Sequence, residues 1–387
     1  MDSGRSTMSP GSSRIILACE HVAPVRLLGF ADRRTSNCGT YGRLIDEFQH
    51  VPELLDAIKA ELNRDGSAGR YVITGSTRYS TLPLTAQALT GRAHRIQILP
   101  LSQGEIAGVR ETFAQQLIEE PMALLAPRDS SARREDYISR VVAGGFPPVL
   151  RRSSPAERSR WFDDYVELVI ERDALEISRV RQRSTLPARL GRLASQTGQV
   201  LNIAKAARAI GIEKSTAESY TNLLEAVFLI QRLPAWGRTL GSRVGLVPKV
   251  HLVDSGLAAR LLRLTEAKLG ERSASALTEL GHLLETFAVG EICRQLDWLD
   301  APTHVGHWRT HDGQEVDLIV EREDGRIVAI EVKAGTSLAS GGLSGLRALR
   351  RKLGAQLLAS IVLYTGPHAY AHPDGHLVLP LSRLWGA

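Results

Sequence analysis

Three residues near the C-terminus, Asp317, Glu331 and Lys333, have the types and spacing for metal-dependent phosphodiester hydrolysis. Carboxylates bind a hard divalent ion, and a neighbouring ammonium positions the attacking water and offsets charge at the scissile phosphate. The run Glu315-Val316-Asp317-Leu318-Ile319-Val320 opens on two carboxylates and alternates like a strand. Ile327-Val328-Ala329-Ile330-Glu331-Val332-Lys333 follows Asp324-Gly325, a favoured hairpin turn. Adjacent strands would bring the three side chains together, and Glu331 and Lys333, two apart, share one face of a sheet. Glu285, on a helix expected over Gly281 to Cys293, supplies a further carboxylate for the same Mg²⁺ or Mn²⁺ ion. The competing reading is a buried ionic network that stabilises a fold without cutting DNA. His311 lies in a turn with Asp312 and Gly313 and is expected as a loop residue rather than a ligand or base, and His282 and His307 are likewise not expected as ligands or bases.

A second acidic pair closes the short strand Leu44-Ile45-Asp46-Glu47. In a nucleotide-binding fold a carboxylate at a strand end holds magnesium. The complementary loop is missing, because the chain nowhere contains G-x-x-x-x-G-K-[ST], whose amides and lysine cradle phosphates. Gly211-Ile212-Glu213-Lys214-Ser215-Thr216 lacks the second glycine and lies in a helical region. Asp46 and Glu47 alone lack the charge clamp and preorganised amides that hold a triphosphate. ATP turnover is therefore not expected of this chain by itself, and the plainer reading is that the pair ends a strand and caps the next helix.

A third candidate is a nucleic-acid interface. Helical blocks are expected over Leu186 to Gln196, Asn202 to Ala209 and Lys214 to Phe228, with Ile210-Gly211-Ile212 as a turn of the kind that joins a helix-turn-helix pair. A strand is expected over Val227 to Ile230. In a DNA-binding arrangement Lys214, Ser215, Thr216, Ser219 and Tyr220 would approach the major groove, with Arg208 and Arg232 on phosphates. Glu213 and Glu218 would repel phosphate, so a packing role stands beside the DNA reading.

The elements that must carry these residues need a large chain, and 387 residues suffice for two or three cores. With 43% apolar and 23% charged residues the chain is globular rather than disordered. No run of 18 apolar residues occurs and Met1-Asp2-Ser3-Gly4-Arg5 lacks the order of a signal peptide, so a cytoplasmic location without membrane insertion is expected. The net charge of +6 permits nucleic-acid contact without demanding it. Cys19, Cys38 and Cys293 are too scattered for a disulfide framework or zinc cluster.

Leu44-Ile45, a helix over Pro52 to Leu62 with apolar residues at 54, 55, 58 and 62, and Arg70 to Ile73 read as strand, helix, strand. A third strand is expected over Arg95 to Leu99, giving a parallel α/β layer. Tyr137 to Val142 leads to Gly144-Gly145-Phe146-Pro147-Pro148, a helix-ending turn, and Trp161 to Ile177 reads as an amphipathic helix.

Leu44-Ile45-Asp46-Glu47-Phe48-Gln49, Tyr71-Val72-Ile73-Thr74-Gly75-Ser76, Leu89-Thr90-Gly91-Arg92 and Leu99-Pro100-Leu101-Ser102 resemble, in order and spacing, prokaryotic AAA-type ATPases with a C-terminal restriction-endonuclease-like domain. The resemblance implies that Asp46 binds magnesium, Glu47 polarises the attacking water, Ser76 senses the γ-phosphate and Arg92 is a candidate arginine finger. It also implies a helical lid that includes Arg172 and Asp173, a winged-helix module, and a nuclease-like site of Glu285, Asp317, Glu331 and Lys333. The family's first strand and phosphate loop would precede Asp46, where about 43 residues of other texture stand; truncation, a disrupted reading frame and degeneration each account for that.

The expected fold class is α/β: an irregular segment over 1–40, an incomplete AAA-type core over 41–130, a lid-like helical region over 131–185, a winged-helix-like module over 186–240 and a nuclease-like domain over 241–387. The corresponding function is a DNA-associated ATPase homologue with an incomplete ATP site. Its alternative is a non-catalytic scaffold for protein interaction or homo-oligomerisation.

Overall fold

A computed structural model of the chain describes residues 15–19, 43–46, 48, 54–67, 69–75, 89, 91–126, 130–174, 185–237, 247–338 and 342–386. The fold is mixed α/β, and its contacts divide into two units. The first comprises Met1–Pro100, Phe146–Arg183 and Asn222–Phe228; the second comprises Leu101–Gly145, Ser184–Thr221 and Leu229–Ala387.

The first unit contains a sheet of β1 (Ile15–Cys19), β2 (Arg43–Ile45), β3 (Tyr71–Gly75) and β4 (Ala93–Gln97) in the order β2-β3-β1-β4. β2 and β3 run parallel, as the strand-helix-strand pattern predicts, with α1 (Leu54–Arg64) between them in sequence. Leu55, Ile58 and Leu62 fall three and four apart and form the buried face of α1, joining Phe48, Tyr71, Ile73, Leu89 and Phe228 in one core. Two expectations are corrected. A strand forms at 15–19, inside the stretch read as irregular, and it enters the sheet antiparallel to both β3 and β4. The third expected strand spans Ala93–Gln97 and pairs with β1, because β1 takes the place beside β3. The amphipathic helix covers Pro155–Leu168 and gives way to a wider π-type helix at Val169–Ala174; the end expected for it, 175–177, lies outside the described residues.

The second unit places α2 (Arg134–Ala143) before a turn in which Gly144 takes φ 67°, a left-handed conformation that suits glycine. α3 (Thr185–Ala194), β5 (Gln199–Val200), α4 (Ile203–Ala209), α5 (Lys214–Ala226, of which Asn222 onward is counted in the first unit), β6 (Ile230–Leu233) and β7 (Lys249–Leu252) follow. The three strands form a sheet in the order β5-β7-β6, antiparallel throughout. Asn202 caps α4 by accepting the Lys205 amide, and Gly211 takes φ 68° in the turn before α5. The strand expected at Val227–Ile230 starts only at Ile230, because Phe228 lies in a turn at φ 58°.

After α6 (Ser255–Leu261), the long α7 (Ala274–Asp297) lies against a six-stranded sheet. Its strands are β8 (Thr303–Arg309), β9 (Glu315–Arg322), β10 (Ile327–Lys333), β11 (Leu357–Tyr364), β12 (Tyr370–Ala371) and β13 (Leu377–Pro380), with α8 (Ser344–Leu353) between β10 and β11. The order is β12-β13-β11-β10-β9-β8. β8, β9 and β10 pair antiparallel in succession, whereas β10 and β11 are parallel, which is why a helical crossover joins them. Ile327 to Ile330 are wholly buried, as a central strand covered on both faces requires. Leu346, Leu349 and Leu353 form the buried face of α8 over this sheet.

Candidate functional site

The hairpin brings the C-terminal candidates together. Asp324-Gly325 turns the chain with Gly325 at φ 75°, and the antiparallel register sets Ile330 opposite Leu318. One step further, the Val332 amide donates to Asp317 Oδ2 at 2.9 Å. Lys333 Nζ donates to Glu331 Oε1 at 2.6 Å, so these two side chains share a face as their spacing predicts. Glu285 comes from the middle of α7, where most residues are buried.

The residue that joins them was not among those singled out from sequence. Lys249, on β7, is wholly buried and its Nζ lies 2.7 Å from Glu285 Oε1, 3.0 Å from Asp317 Oδ1 and 2.5 Å from Glu315 Oε1. The second oxygen of Glu315 faces the half-exposed Arg309 at 3.4 Å. The ammonium donates hydrogen bonds to Glu285 Oε1 and Asp317 Oδ1 and pairs in charge with Glu315. Burial alone would lower the Lys249 pKa, but Asp317, Glu285 and Glu315 together overcome it and hold the group charged, well above its ordinary value.

The carboxylates respond in the opposite sense. Burial, reinforced by Asp317, raises Glu285 well above the usual carboxylate range and pushes Glu331 up to about 8. Burial lowers Lys333, and Glu331 more than compensates, so that ammonium also ends above its ordinary value. His251, two residues along β7, is held down at about 3 by burial and then by Lys249. His307 is held at about 4 for the same two reasons. His307 is buried within β8, with Nε2 at 3.1 Å from the Val247 carbonyl oxygen. His282 sits on α7, within the stretch expected to be helical, while His311 is an exposed turn residue as expected.

These donors do not suit a divalent ion as they stand. Glu285 Oε1, Glu315 Oε1 and Asp317 Oδ1 face Lys249, Asp317 Oδ2 accepts an amide, and Glu331 Oε1 accepts Lys333. Glu331 Oε2 is left without a hydrogen-bond partner. Among the described residues, no group of three or more His, Cys, Asp or Glu side chains is arranged to hold a metal ion.

The other candidates are dispersed. Asp46 is exposed at the end of β2 and accepts a hydrogen bond from Thr74 Oγ1. Arg92 donates to Asn63 Oδ1 at 2.5 Å. Glu47 and Ser76 lie outside the described residues, as do the side chains of Arg172 and Asp173. Arg208, Lys214, Ser215 and Ser219 are exposed, and Thr216 and Arg232 are half-buried. Tyr220 corrects the sequence reading: it is only 7% exposed, because Ala217, Tyr220 and Thr221 form the inward stripe of α5.

Comparison with known proteins gives three matches along the chain. Residues 23–107 match an AAA domain, residues 134–268 a domain of unknown function (DUF8612), and residues 280–384 a second domain of unknown function (DUF4143). The matches support an AAA-type ATPase-like family. Uncharacterized proteins of Mycobacterium tuberculosis and Mycobacterium bovis are each 27% identical over 384 residues, 98% of this chain and 78% of the relative. No solved structure gives a significant match. The carboxylates of the buried cluster all fall in the DUF4143 match, whereas Lys249 falls in the DUF8612 match. No helix of the described residues is long and apolar enough to cross a membrane.

Proposed function

We propose that this chain is a DNA-associated protein of AAA-type ATPase ancestry, with a winged-helix-like module over 186–240, a restriction-endonuclease-like C-terminal domain and an incomplete ATP site. The observation that carries the reading is the convergence of Glu285, Glu315, Asp317, Glu331 and Lys333 on a helix and two central strands. The order helix, three antiparallel strands, helix and parallel strand from α7 to β11 supports the nuclease-like reading. The order α3, β5, α4, α5, β6, β7 supports the winged-helix-like one, with Arg208 and Lys214 exposed on consecutive helices. An AAA domain typically uses ATP with Mg²⁺, and the absence of a phosphate loop makes this chain a poor user of either.

Fluorescence anisotropy with duplex and four-way-junction DNA tests the association. Each phosphate contact contributes a slope of about −0.9 to the dependence of log affinity on log salt. Combined Arg208→Ala and Lys214→Ala substitution is expected to weaken binding and flatten that slope. Absence of binding at low salt would remove the DNA reading and leave the scaffold, a role that the engagement of the carboxylates by Lys249 favours in its own right.

A further inference from the structure

We propose that Lys249 is a built-in replacement for the divalent cation of this carboxylate cluster, so that the C-terminal domain is closed to metal by an ammonium of its own chain. The inference rests on the nuclease-like reading above. Its geometry is that of ion replacement: one cationic atom lies within 3.0 Å of oxygens from Glu285, Glu315 and Asp317, which belong to a helix and a neighbouring strand. Hard divalent ions draw oxygens to about 2.0–2.6 Å and cannot share that volume with an ammonium.

The lysine is also held there by its backbone. β7 is the middle strand of its sheet: β6 pairs with it from Lys249 to Leu252, and Gln199 and Val200 pair with Val250 and Lys249 from the other side. The Gly198 amide donates to the Val250 carbonyl oxygen and the Leu201 amide to that of Pro248. Thr286 Oγ1 lies 3.1 Å from His251 Nδ1 and 2.9 Å from Thr197 Oγ1, tying β7 to α7 at the residue that follows Glu285. The backbone of Lys249 is therefore fixed on the middle strand, and its side chain is fully buried against the carboxylates. Removing it would leave three carboxylates, Glu285 and Asp317 buried and Glu315 half-buried, without their cation, a cost that a divalent ion would offset. The cluster is thus an ionic joint between two segments that match different families, with the lysine from one and the carboxylates from the other.

Mn²⁺ titration of the full chain, by calorimetry or electron paramagnetic resonance, tests the replacement. Wild type and Asp317→Asn are expected to bind Mn²⁺ alike, because the cluster offers no vacancy. Lys249→Met is expected to gain a Mn²⁺ site at least about tenfold tighter than any in wild type. The gain should vanish in the Lys249→Met/Asp317→Asn double variant. Thermal unfolding of Lys249→Met should shift upward with Mn²⁺ while wild type does not move. A folded Lys249→Met with no gain overturns the proposal. So does Mn²⁺ binding by wild type that Asp317→Asn weakens, and this comparison decides the matter even if Lys249→Met cannot be obtained folded. Adding supercoiled and branched DNA separates the two readings. Mn²⁺ gain by Lys249→Met without cutting keeps the replacement and removes nuclease chemistry, whereas cutting by wild type that Asp317→Ala abolishes keeps the chemistry and overturns the replacement.

Discussion

Buried charges in the second unit follow two opposite rules. Lys249 keeps its charge because three carboxylates surround it, whereas Glu291 on α7 is pushed up to about 7, chiefly by burial and against the opposing pull of Arg294. Glu291 accepts from the Gln103 amide and from Arg294 Nη1, each at 2.8 Å, while Glu111 and Glu105 add repulsion. A carboxyl whose folded pKa exceeds its ordinary 4.5 holds a proton that the unfolded chain has already released. Its contribution to stability is therefore complete below the ordinary pKa and is lost as pH rises to the folded value. One pKa unit corresponds to about 1.4 kcal/mol, so the loss is on the order of a few kcal/mol. Glu291→Gln keeps the acceptor for the Gln103 amide and removes the titration. Denaturant unfolding at about pH 4.5 and about pH 7 should show wild type losing more stability across the interval than the variant; equal slopes reject this account.

At the scale of elements, close approach of backbones matters more than propensity. α8 comes so near the start of β9 that a Cβ on Gly345 would lie 1.8 Å from the Glu315 carbonyl oxygen. Gly281, inside α7, has nothing within 4 Å of the same position. Gly345→Ala is expected to lower stability by about 1–3 kcal/mol, because backbone has to shift, and to disturb the Glu315 contact with Lys249. Gly281→Ala is expected to raise stability by about 0.5–1 kcal/mol, since alanine suits a helix interior better. Thermal unfolding of both variants checks the pair, and a stabilised Gly345→Ala would show that the two elements lie further apart. These elements also mark what sequence could tell. The β9–β10 hairpin was legible because alternation, β-branched residues and Asp324-Gly325 are local signals, and they fixed the meeting of Asp317, Glu331 and Lys333. Lys249 was not legible. A lone lysine in Pro248-Lys249-Val250-His251 reads as a surface residue, and no local period reports that a partner 68 residues on will be Asp317. Tyr220 was misplaced because an aromatic at a helix-turn-helix position reads equally as a reading residue or as core.

At the scale of the whole molecule, the directions of the described strands bear on where a nucleotide would meet Asp46. β1 is antiparallel to both β3 and β4, so those two strands run the same way, and β2 runs parallel to β3. Their carboxyl ends therefore share one edge of the sheet, where Asp46 follows β2. β1 reaches that edge with its first residue, because Ile15 pairs with Gly75 and Gln97, and it leaves from the opposite edge, where Cys19 pairs with Ala93. A phosphate-binding loop must emerge from the carboxyl end of its strand to deliver amides beside the magnesium-binding carboxylate. β1 delivers its carboxyl end to the wrong edge, and the sequence holds no G-x-x-x-x-G-K-[ST] to form such a loop elsewhere. Calorimetric titration with Mg-ATP is expected to show weak or no binding, and phosphate release is expected to match that of Asp46→Ala. Arg92, held by Asn63 in this chain, should behave like any exposed arginine, so Arg92→Ala should leave both readouts unchanged. Micromolar binding with steady hydrolysis that Asp46→Ala abolishes would reject this argument, because it would require phosphate contacts at Asp46 that neither β1 nor the known loop motif supplies.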